Sequence, residues 1–375
     1  MKKFFVFFIA LSFALGLSAC AGEDDTIKFG VIGPLTGEYD LYGVAVRNGA
    51  ELAAAEINAA GGVLGKTLEI IAYDSKGDAA EETNAYNRLM DQDEIDALIG
   101  GTFSGVTLGI KSLAVEDGIP VLTPTATNPD VTLEAPNVFR ACYTDSYQGQ
   151  VAAVFAADTL NATNVAVLFN RDDAYSEGLA DAFMAEFDDL SLSYTAYEFG
   201  ATDDDYSTQL TLIRDSATAF DAVFVPAYVA EVGPILTQAN TLGLEMPFIG
   251  GDGWDGIEGQ YAAAAEGNYF ANHYAKTDEA QVVQDFVANY EEEFGETPNA
   301  LAALAYDAAY ALAAAFEAAG SAENAAVVAA LADLEYTDAV TGSITFDENG
   351  DPIKAVTIIK VVNGEQTVEA KVEAS

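Results

Sequence analysis

Three polar loops rich in small residues follow apolar, strand-like segments and carry groups that could bind a charged small molecule. They are 100–105 (GGTFSG), 123–129 (TPTATNP) and 250–255 (GGDGWD). In a doubly wound α/β sheet such loops meet at the carboxyl ends of the strands, where ligands bind. Ser104 and free backbone N–H groups at a helix start suit a carboxylate, and Asp252 among glycines suits an ammonium. Receptors of both signs indicate a site for a zwitterion such as an amino acid, although ordinary strand-to-helix turns would have the same composition.

Two further loops look like ligand loops but fail on spacing. Residues 61–67 (GGVLGKT) lack a P-loop glycine where Ala60 stands, and they lead from helix to strand, the reverse of a phosphate loop. Pro352 interrupts the calcium-loop pattern that begins at 347–351 (DENGD), so a turn is the better interpretation. His273, the single histidine, is interpreted as a surface or packing residue. The sequence therefore predicts no catalytic, metal or cofactor site.

The first twenty residues predict export from the cytoplasm. Two lysines precede the apolar run Phe4–Leu17, and small residues follow it. This arrangement is typical of a secretory signal, and the run is shorter than the roughly 20 residues of a membrane span. The L-S-A-C sequence that ends at Cys20 resembles the bacterial lipobox. It predicts a signal peptide at 1–19, a lipid on Cys20 and a location in the periplasm or on the outer face of the cell membrane. An ordinary secretory signal with a chance cysteine is the alternative.

The strong acidity of the chain excludes two classes of partner. There are 60 acidic and 15 basic residues, which give a net charge of −45. Nucleic acids and anionic lipid surfaces repel such a field, so contact with a membrane is expected through the lipid anchor only. Scarce lysine and abundant carboxylates also suit a saline medium, in which ions screen self-repulsion.

Short β-branched segments alternate with alanine-rich helical segments along most of the chain. This alternation predicts parallel sheets with helices on both faces. Its two consecutive runs, near 27–140 and 164–250, predict two lobes. The rest of the chain predicts three helices and two strands, at 280–294, 299–319, 322–334, 343–346 and 353–362.

Six segments resemble the branched-chain amino acid binding proteins of ABC importers. They are FGVIGPLTG at 29–37, EINAAGG at 56–62, DGIPVLTP at 117–124, TATNP at 125–129, FRACYTDSYQGQ at 139–150 and GDGWD at 251–255. Their order and spacing between Ile27 and Val362 match the family. The match is more specific for the family than for the ligand.

This resemblance implies a type I periplasmic-binding-protein fold. In that fold, two α/β lobes with doubly wound parallel sheets are joined by a three-stranded hinge, here expected near Ala141, Ala271 and Gly342. The first lobe should comprise 27–141 plus 272–341, and the second 142–271 plus 342–375. A ligand in the cleft between the lobes should stabilise the closed state, because each lobe then contributes contacts that the open form lacks.

The resemblance also implies roles for residues on both sides of the cleft. Ser104 and the backbone around Thr127 should hold the ligand carboxylate, with a hydroxyl added by Tyr228. The ammonium is expected to contact Asp252, the Thr127 hydroxyl and the carbonyl of Thr125 or Ala126. The side-chain pocket is expected to be lined by Tyr42, Phe103 and Tyr175, with Trp254 near by. Leu301 stands where some relatives carry an aromatic wall.

These expectations describe a monomeric solute-binding protein without a cofactor. It would capture an amino acid, with leucine, isoleucine and valine as first candidates, and deliver it to the permease of an ABC importer. An extracytoplasmic sensor of amino acids or amides with the same fold is the alternative. A hydrolase is disfavoured, because the sequence contains no nucleophile motif such as GxSxG.

The role implied for Asp252 leads to a test by substitution. Asp252→Ala should weaken amino acid binding more than about tenfold, since a lost charge-assisted hydrogen bond costs roughly 1.5–3 kcal/mol. Titration calorimetry measures the change. Unchanged affinity would remove Asp252 from the binding site.

Overall fold

The computed structural model describes residues 25–373. The predicted signal peptide at 1–19 and the predicted lipidation site at Cys20 lie outside the described residues. Within the described range the chain forms two α/β lobes, each built on its own main sheet, and a small two-stranded sheet.

The first lobe is built on a parallel sheet whose faces are both covered by helices. Its strands are Thr26–Gly33 (β1), Thr67–Asp74 (β2), Ala97–Ile99 (β3), Val121–Thr123 (β4) and Val138–Arg140 (β5). Its first helices are Asp40–Ala60 (α1), Ala79–Arg88 (α2) and Ser104–Asp117 (α3). The strand order is β2-β1-β3-β4-β5. In β1, Ile27, Phe29 and Val31 pack into one buried cluster and Ile32 into another, so the end of the strand is buried on both faces.

The second lobe is built on a larger, mixed sheet. Its strands are Asn164–Asn170 (β6), Ser193–Phe199 (β7), Ala222–Val225 (β8), Phe248–Gly250 (β9), Tyr269–Asn272 (β10), Val356–Val362 (β13) and Glu365–Val372 (β14). Its helices are Asp145–Asp158 (α4), Ala174–Asp189 (α5), Ser207–Arg214 (α6), Val229–Leu242 (α7) and Ile257–Ala265 (α8). The order is β14-β13-β10-β9-β8-β6-β7, and only the pairs that involve β13 are antiparallel.

Three later helices return to the first lobe. They are Gln281–Phe294 (α9), Ala300–Ala319 (α10) and Asn324–Ala332 (α11). By length and composition α10 could span a membrane, but 78% of its apolar window is buried within the protein, as in the core helix of a soluble lobe. It packs closely on α1, where a Cβ on Gly49 would lie 2.1 Å from the Ala302 carbonyl oxygen. Glycine is therefore required at this helix contact.

The chain passes between the lobes three times. The passages run from β5 to α4, from β10 to α9, and from the small sheet of Glu335–Tyr336 (β11) and Ile344–Thr345 (β12) to β13. Two doubly wound lobes with three connections confirm the fold class that the resemblance implies.

The sequence pattern does not predict several strands and one helix of the structure. Strands β5 and β10 contain only 3 and 4 residues, too few for a periodicity to emerge. Strand β14 (EQTVEAKV) lies at the edge of its sheet and exposes most of its side chains, so it lacks an apolar run. Helix α4 begins next to the passage between the lobes, where the alternation of strands and helices is interrupted.

Arg140, at the end of β5, is fully buried and joins three parts of the chain. Its guanidinium donates to Asp351 Oδ1 at 2.5 Å, to Thr132 Oγ1 at 2.8 Å and to the carbonyls of Ala126, Asn128 and Pro129. A buried cation with partners for all its donors is tolerated, whereas loss of the cation leaves those partners unsatisfied. Arg140 therefore fixes the loop that contains Thr127.

Arg140→Met should lower the free energy of unfolding by about 3–5 kcal/mol, since it removes one partner of a buried ion pair. Urea unfolding measures this change. Arg214→Met is the matched control: the Arg214 pair with Asp215 is exposed to solvent, so its loss should leave the free energy of unfolding nearly unchanged. Equal effects of the two substitutions would contradict the role of Arg140.

Candidate functional site

Hydrogen bonds from two tyrosines cross the cleft and hold the lobes together. The Tyr42 hydroxyl in α1 donates to the Gly253 carbonyl at 2.7 Å and accepts from the Val229 N–H at 2.8 Å. Tyr39 donates to Glu231 Oε1 at 2.7 Å. Burial and nearby carboxylates raise the pKa of Glu231 to about 7. The structure thus shows a closed cleft.

A small cavity lies between the lobes beside these bonds. It is lined by Tyr42, Thr102, Phe103, Thr125, Tyr175, Tyr228, Asp252, Gly253 and Leu301. Its wall is largely aromatic: the rings of Phe103 and Tyr228 have centroids 4.6 Å apart, and Tyr175 stacks on Tyr228 at 5.0 Å. The structure therefore places Tyr42, Phe103, Thr125, Tyr175, Tyr228 and Asp252 around one space, with Leu301 as a further wall.

On the side of the first lobe, the start of α3 can receive an anion. Ser104 is the first residue of α3, and its hydroxyl oxygen accepts from the Asn128 N–H at 3.2 Å. No side chain in the described part of the protein caps α3, so N–H groups of its first turn remain available. This helix start adjoins Phe103 and Thr102, which line the cavity.

The 125–128 loop supplies acceptors. The Ala126 carbonyl already accepts from Arg140, which leaves the Thr125 carbonyl as the better candidate for an ammonium. The Thr127 hydroxyl is buried, and no partner for it exists among residues 25–373. A ligand donor there would satisfy a buried polar group that otherwise destabilises the fold.

Asp252 lies on the opposite wall and is held by three side chains. Gln148 Nε2 and the Tyr175 hydroxyl donate to Oδ1 at 3.1 and 2.9 Å, and His273 Nε2 lies 2.9 Å from Oδ2. Because several donors already occupy this carboxylate, its capacity for a ligand ammonium is reduced. The arrangement fixes its position.

His273 was expected at the surface or in simple packing, and the structure instead connects it to the site. Its ring is buried and stacks on Tyr143 at 3.7 Å. Burial lowers the pKa of His273, so at neutral pH the ring is uncharged and its Nε2–H donates to Asp252. Only its place directly after β10, at an expected crossover, could have pointed to this role.

Asp145 is a second buried carboxylate that sequence reasoning missed. Its N–H donates to the Thr127 carbonyl at 2.9 Å, and its side chain is 0% exposed. Within residues 25–373 neither carboxyl oxygen has a hydrogen-bond partner. Burial and the charge of Asp252 raise the pKa of Asp145 well above its ordinary value. The neighbouring Thr127 hydroxyl opposes this rise, so Asp145 and Thr127 form a buried polar pair beside the loop that contains Thr125, which lines the cavity. In the sequence, Asp145 could have been noticed only as a member of the family segment at 139–150.

Trp254 is placed differently from the expectation. Its indole N–H donates to the Val225 carbonyl at 2.8 Å, and its ring lies where a Cβ on Gly250 would be. It packs beneath the site in the core of the second lobe and does not line the cavity, because the short 3₁₀ turn of 252–254 directs the side chain inward.

Comparison with known proteins agrees with the fold described above. The profile of the periplasmic binding protein family matches residues 26–366. The Leu/Ile/Val-binding protein BraC3 of Rhizobium johnstonii is 34% identical over 347 residues, which cover 90% of this chain and 91% of the relative.

Two solved structures share the fold over almost their whole length. The leucine-binding protein LivK of Thermotoga maritima superposes with a TM-score of 0.87 at 34% identity, over 92% of this chain and 99% of its own. The branched-chain amino acid transporter substrate-binding protein LivJ of Streptococcus pneumoniae, solved with isoleucine, gives 0.85 at 32% identity, over 93% and 99%.

Asp145 leads to a prediction about protons. A ligand ammonium beside Asp145 favours the carboxylate and lowers its raised pKa, so binding should release a proton. Affinity should accordingly rise with pH while the ligand-free carboxyl is still partly protonated, because the free protein then binds more protons than the complex. Calorimetry of leucine binding in buffers of different ionisation enthalpy measures the release.

Asp145→Asn is the control for this measurement. The variant should bind more weakly and release fewer protons than the wild type. Equal proton release from both proteins would show that another group titrates.

Proposed function

Since the chain belongs to the periplasmic binding protein family, we propose that it captures an amino acid, first of all a branched-chain one, in the cleft between its lobes. It then delivers this ligand to the permease of an ABC importer. A monomer held to the membrane by a lipid on Cys20 would keep the protein near that permease. Like its family, the protein works outside the cytoplasm and is not an enzyme.

Groups of opposite character around one interlobe cavity carry the proposal. Asp252 lines the cavity, the buried pair of Asp145 and Thr127 adjoins the lining residue Thr125 through its loop, and the start of α3 at Ser104, next to the lining residue Phe103, presents N–H donors. An α-amino acid carries the matching ammonium and carboxylate on one carbon. Its zwitterion would satisfy both sets at once, where a simple acid or amine would satisfy one.

The rest of the cavity supports an apolar side chain. Phe103, Tyr228 and Leu301 form much of the wall and are buried or nearly so. Burial of an aliphatic ligand side chain against such a wall lowers the free energy of binding by about 25 cal/mol per Å² of apolar surface removed from water. The names of LivK, a leucine-binding protein, and of LivJ, solved with isoleucine, agree with this preference.

Calorimetric titration of soluble residues 21–375 with the twenty amino acids tests the proposal. The protein is first unfolded and refolded to remove any ligand carried through purification, and titrations are run at low and high salt because of the charge of −45. We expect a dissociation constant of about micromolar or tighter for a few aliphatic amino acids, about −8 kcal/mol or more.

A Cys142→Ser variant is a suitable control, because Cys142 is buried and burial raises the pKa of its thiol to about 12. The variant should bind like the wild type. Absence of heat across the whole panel would contradict the amino acid proposal, and amides, urea and carboxylic acids would be titrated next.

A further inference from the structure

A third buried carboxylate, Asp255, makes hydrogen bonds to both lobes close to the cavity. It stands three residues after Asp252, in the loop that joins β9 to α8, and is 1% exposed. Its Oδ2 accepts from the N–H of Ala300 at 2.6 Å. Its Oδ1 accepts from Gln366 Nε2, also at 2.6 Å. One oxygen is therefore anchored to β14 in its own lobe, and the other reaches the opposite lobe.

The group that Asp255 reaches is the first residue of α10. The initial N–H groups of a helix lack partners within the helix, and a carboxylate there is stabilised by hydrogen bonding and by the helix dipole. Burial and the nearby Glu258 raise the pKa of Asp255 to about 6, so it is ionised at neutral pH and suited to this role. Separation of the lobes at this point would break the bond from Ala300 and leave this N–H to water.

Both ends of the contact adjoin the ligand cavity. Leu301, the residue after Ala300, lines the cavity from the first lobe. Asp252 and Gly253, in the same loop as Asp255, line it from the second lobe. The Asp255 bond thus holds two walls of the cavity together from a point behind it.

We propose that Asp255 is a positioning residue that caps α10 across the cleft and so stabilises the closed arrangement of the lobes. It acts through α10 and the 252–255 loop without touching the ligand. The proposal rests on the proposed function, since it concerns retention of the ligand captured in that cleft.

Asn299 provides a matched comparison at the same helix end. Its Oδ1 accepts from the Ala302 N–H at 3.1 Å and so caps α10 from within the first lobe. Loss of this cap weakens the first lobe itself, whereas loss of the Asp255 side chain removes the contact between lobes and, within the second lobe, one of the two bonds that Gln366 Nε2 donates. The two substitutions therefore separate stability of the fold from closure.

The experiment compares Asp255→Ala, Asp255→Asn and Asn299→Ala in the mature protein, with leucine and isoleucine as probes. Dissociation rate and affinity are measured by stopped flow and calorimetry, unfolding of the ligand-free protein by urea, and opening by small-angle X-ray scattering. Asp255→Ala should bind about five- to tenfold more weakly through faster dissociation, with only a small fall in the unfolding midpoint because Gln366 Nε2 keeps its bond to Glu258. Asp255→Asn keeps an acceptor oxygen and should recover part of the affinity. Asn299→Ala should lower the unfolding midpoint and leave the affinity within about twofold.

The outcomes distinguish this inference from the proposed function. Wild-type protein that binds neither probe nor any other amino acid contradicts the proposed function. Wild-type binding that Asp255→Ala leaves unchanged, or an Asp255→Ala effect that Asn299→Ala reproduces in full, overturns the inference about Asp255 alone. If Asp255→Ala does not fold, Asp255→Asn decides: unchanged dissociation and equal scattering with the ligand would overturn the inference.

Discussion

The buried guanidinium of Arg140 is the interaction on which the site depends most. It joins the end of β5 to the 126–132 loop and to Asp351, which lies within the last passage between the lobes. Without a cation at this point, three carbonyl oxygens would converge in a buried region with no donor, at a cost that packing could not offset. Because Arg140 holds the loop from behind, the Thr127 hydroxyl and carbonyl face Asp145 and the cleft. A residue that never lines the cavity thus determines its geometry.

The site contains two carboxylates in opposite conditions. Asp252 is surrounded by donors from Gln148, Tyr175 and His273, and it is fixed before any ligand arrives. Asp145 is buried with the Thr127 hydroxyl as its neighbour, and burial and the charge of Asp252 raise its pKa well above the ordinary value. Asp252 is therefore held rigidly in place, whereas Asp145 lies in surroundings that a nearby cation would stabilise. The neutral form of His273 matters here, because a buried imidazolium would compete for the same negative charge.

The alternation of strands and helices predicted parallel sheets, because it is a local signal, whereas the two-lobed fold and its cleft were implied by the family resemblance. The polar loops follow strands of two different sheets, and Phe103 and Thr125 of one lobe meet Asp252 of the other across the cleft. Asp145 and His273 were missed because they lie beside the passages between lobes, where the pattern is interrupted. The inward direction of the Trp254 ring, which the sequence places only near the pocket, depends on backbone angles in a tight turn that composition does not encode. Contacts between lobes, such as that of Asp255, join residues too distant in sequence for any periodicity to reveal.

The inward-facing ring of Trp254 has an optical consequence. It is the single tryptophan of the sequence, and it lies two residues from Asp252 with its indole bonded to Val225. Its emission therefore arises from one known place, the underside of the loop that forms a wall of the cleft. Any movement of that loop changes the surroundings of this one fluorophore, so the protein carries a built-in reporter of its own opening and closing and needs no attached dye.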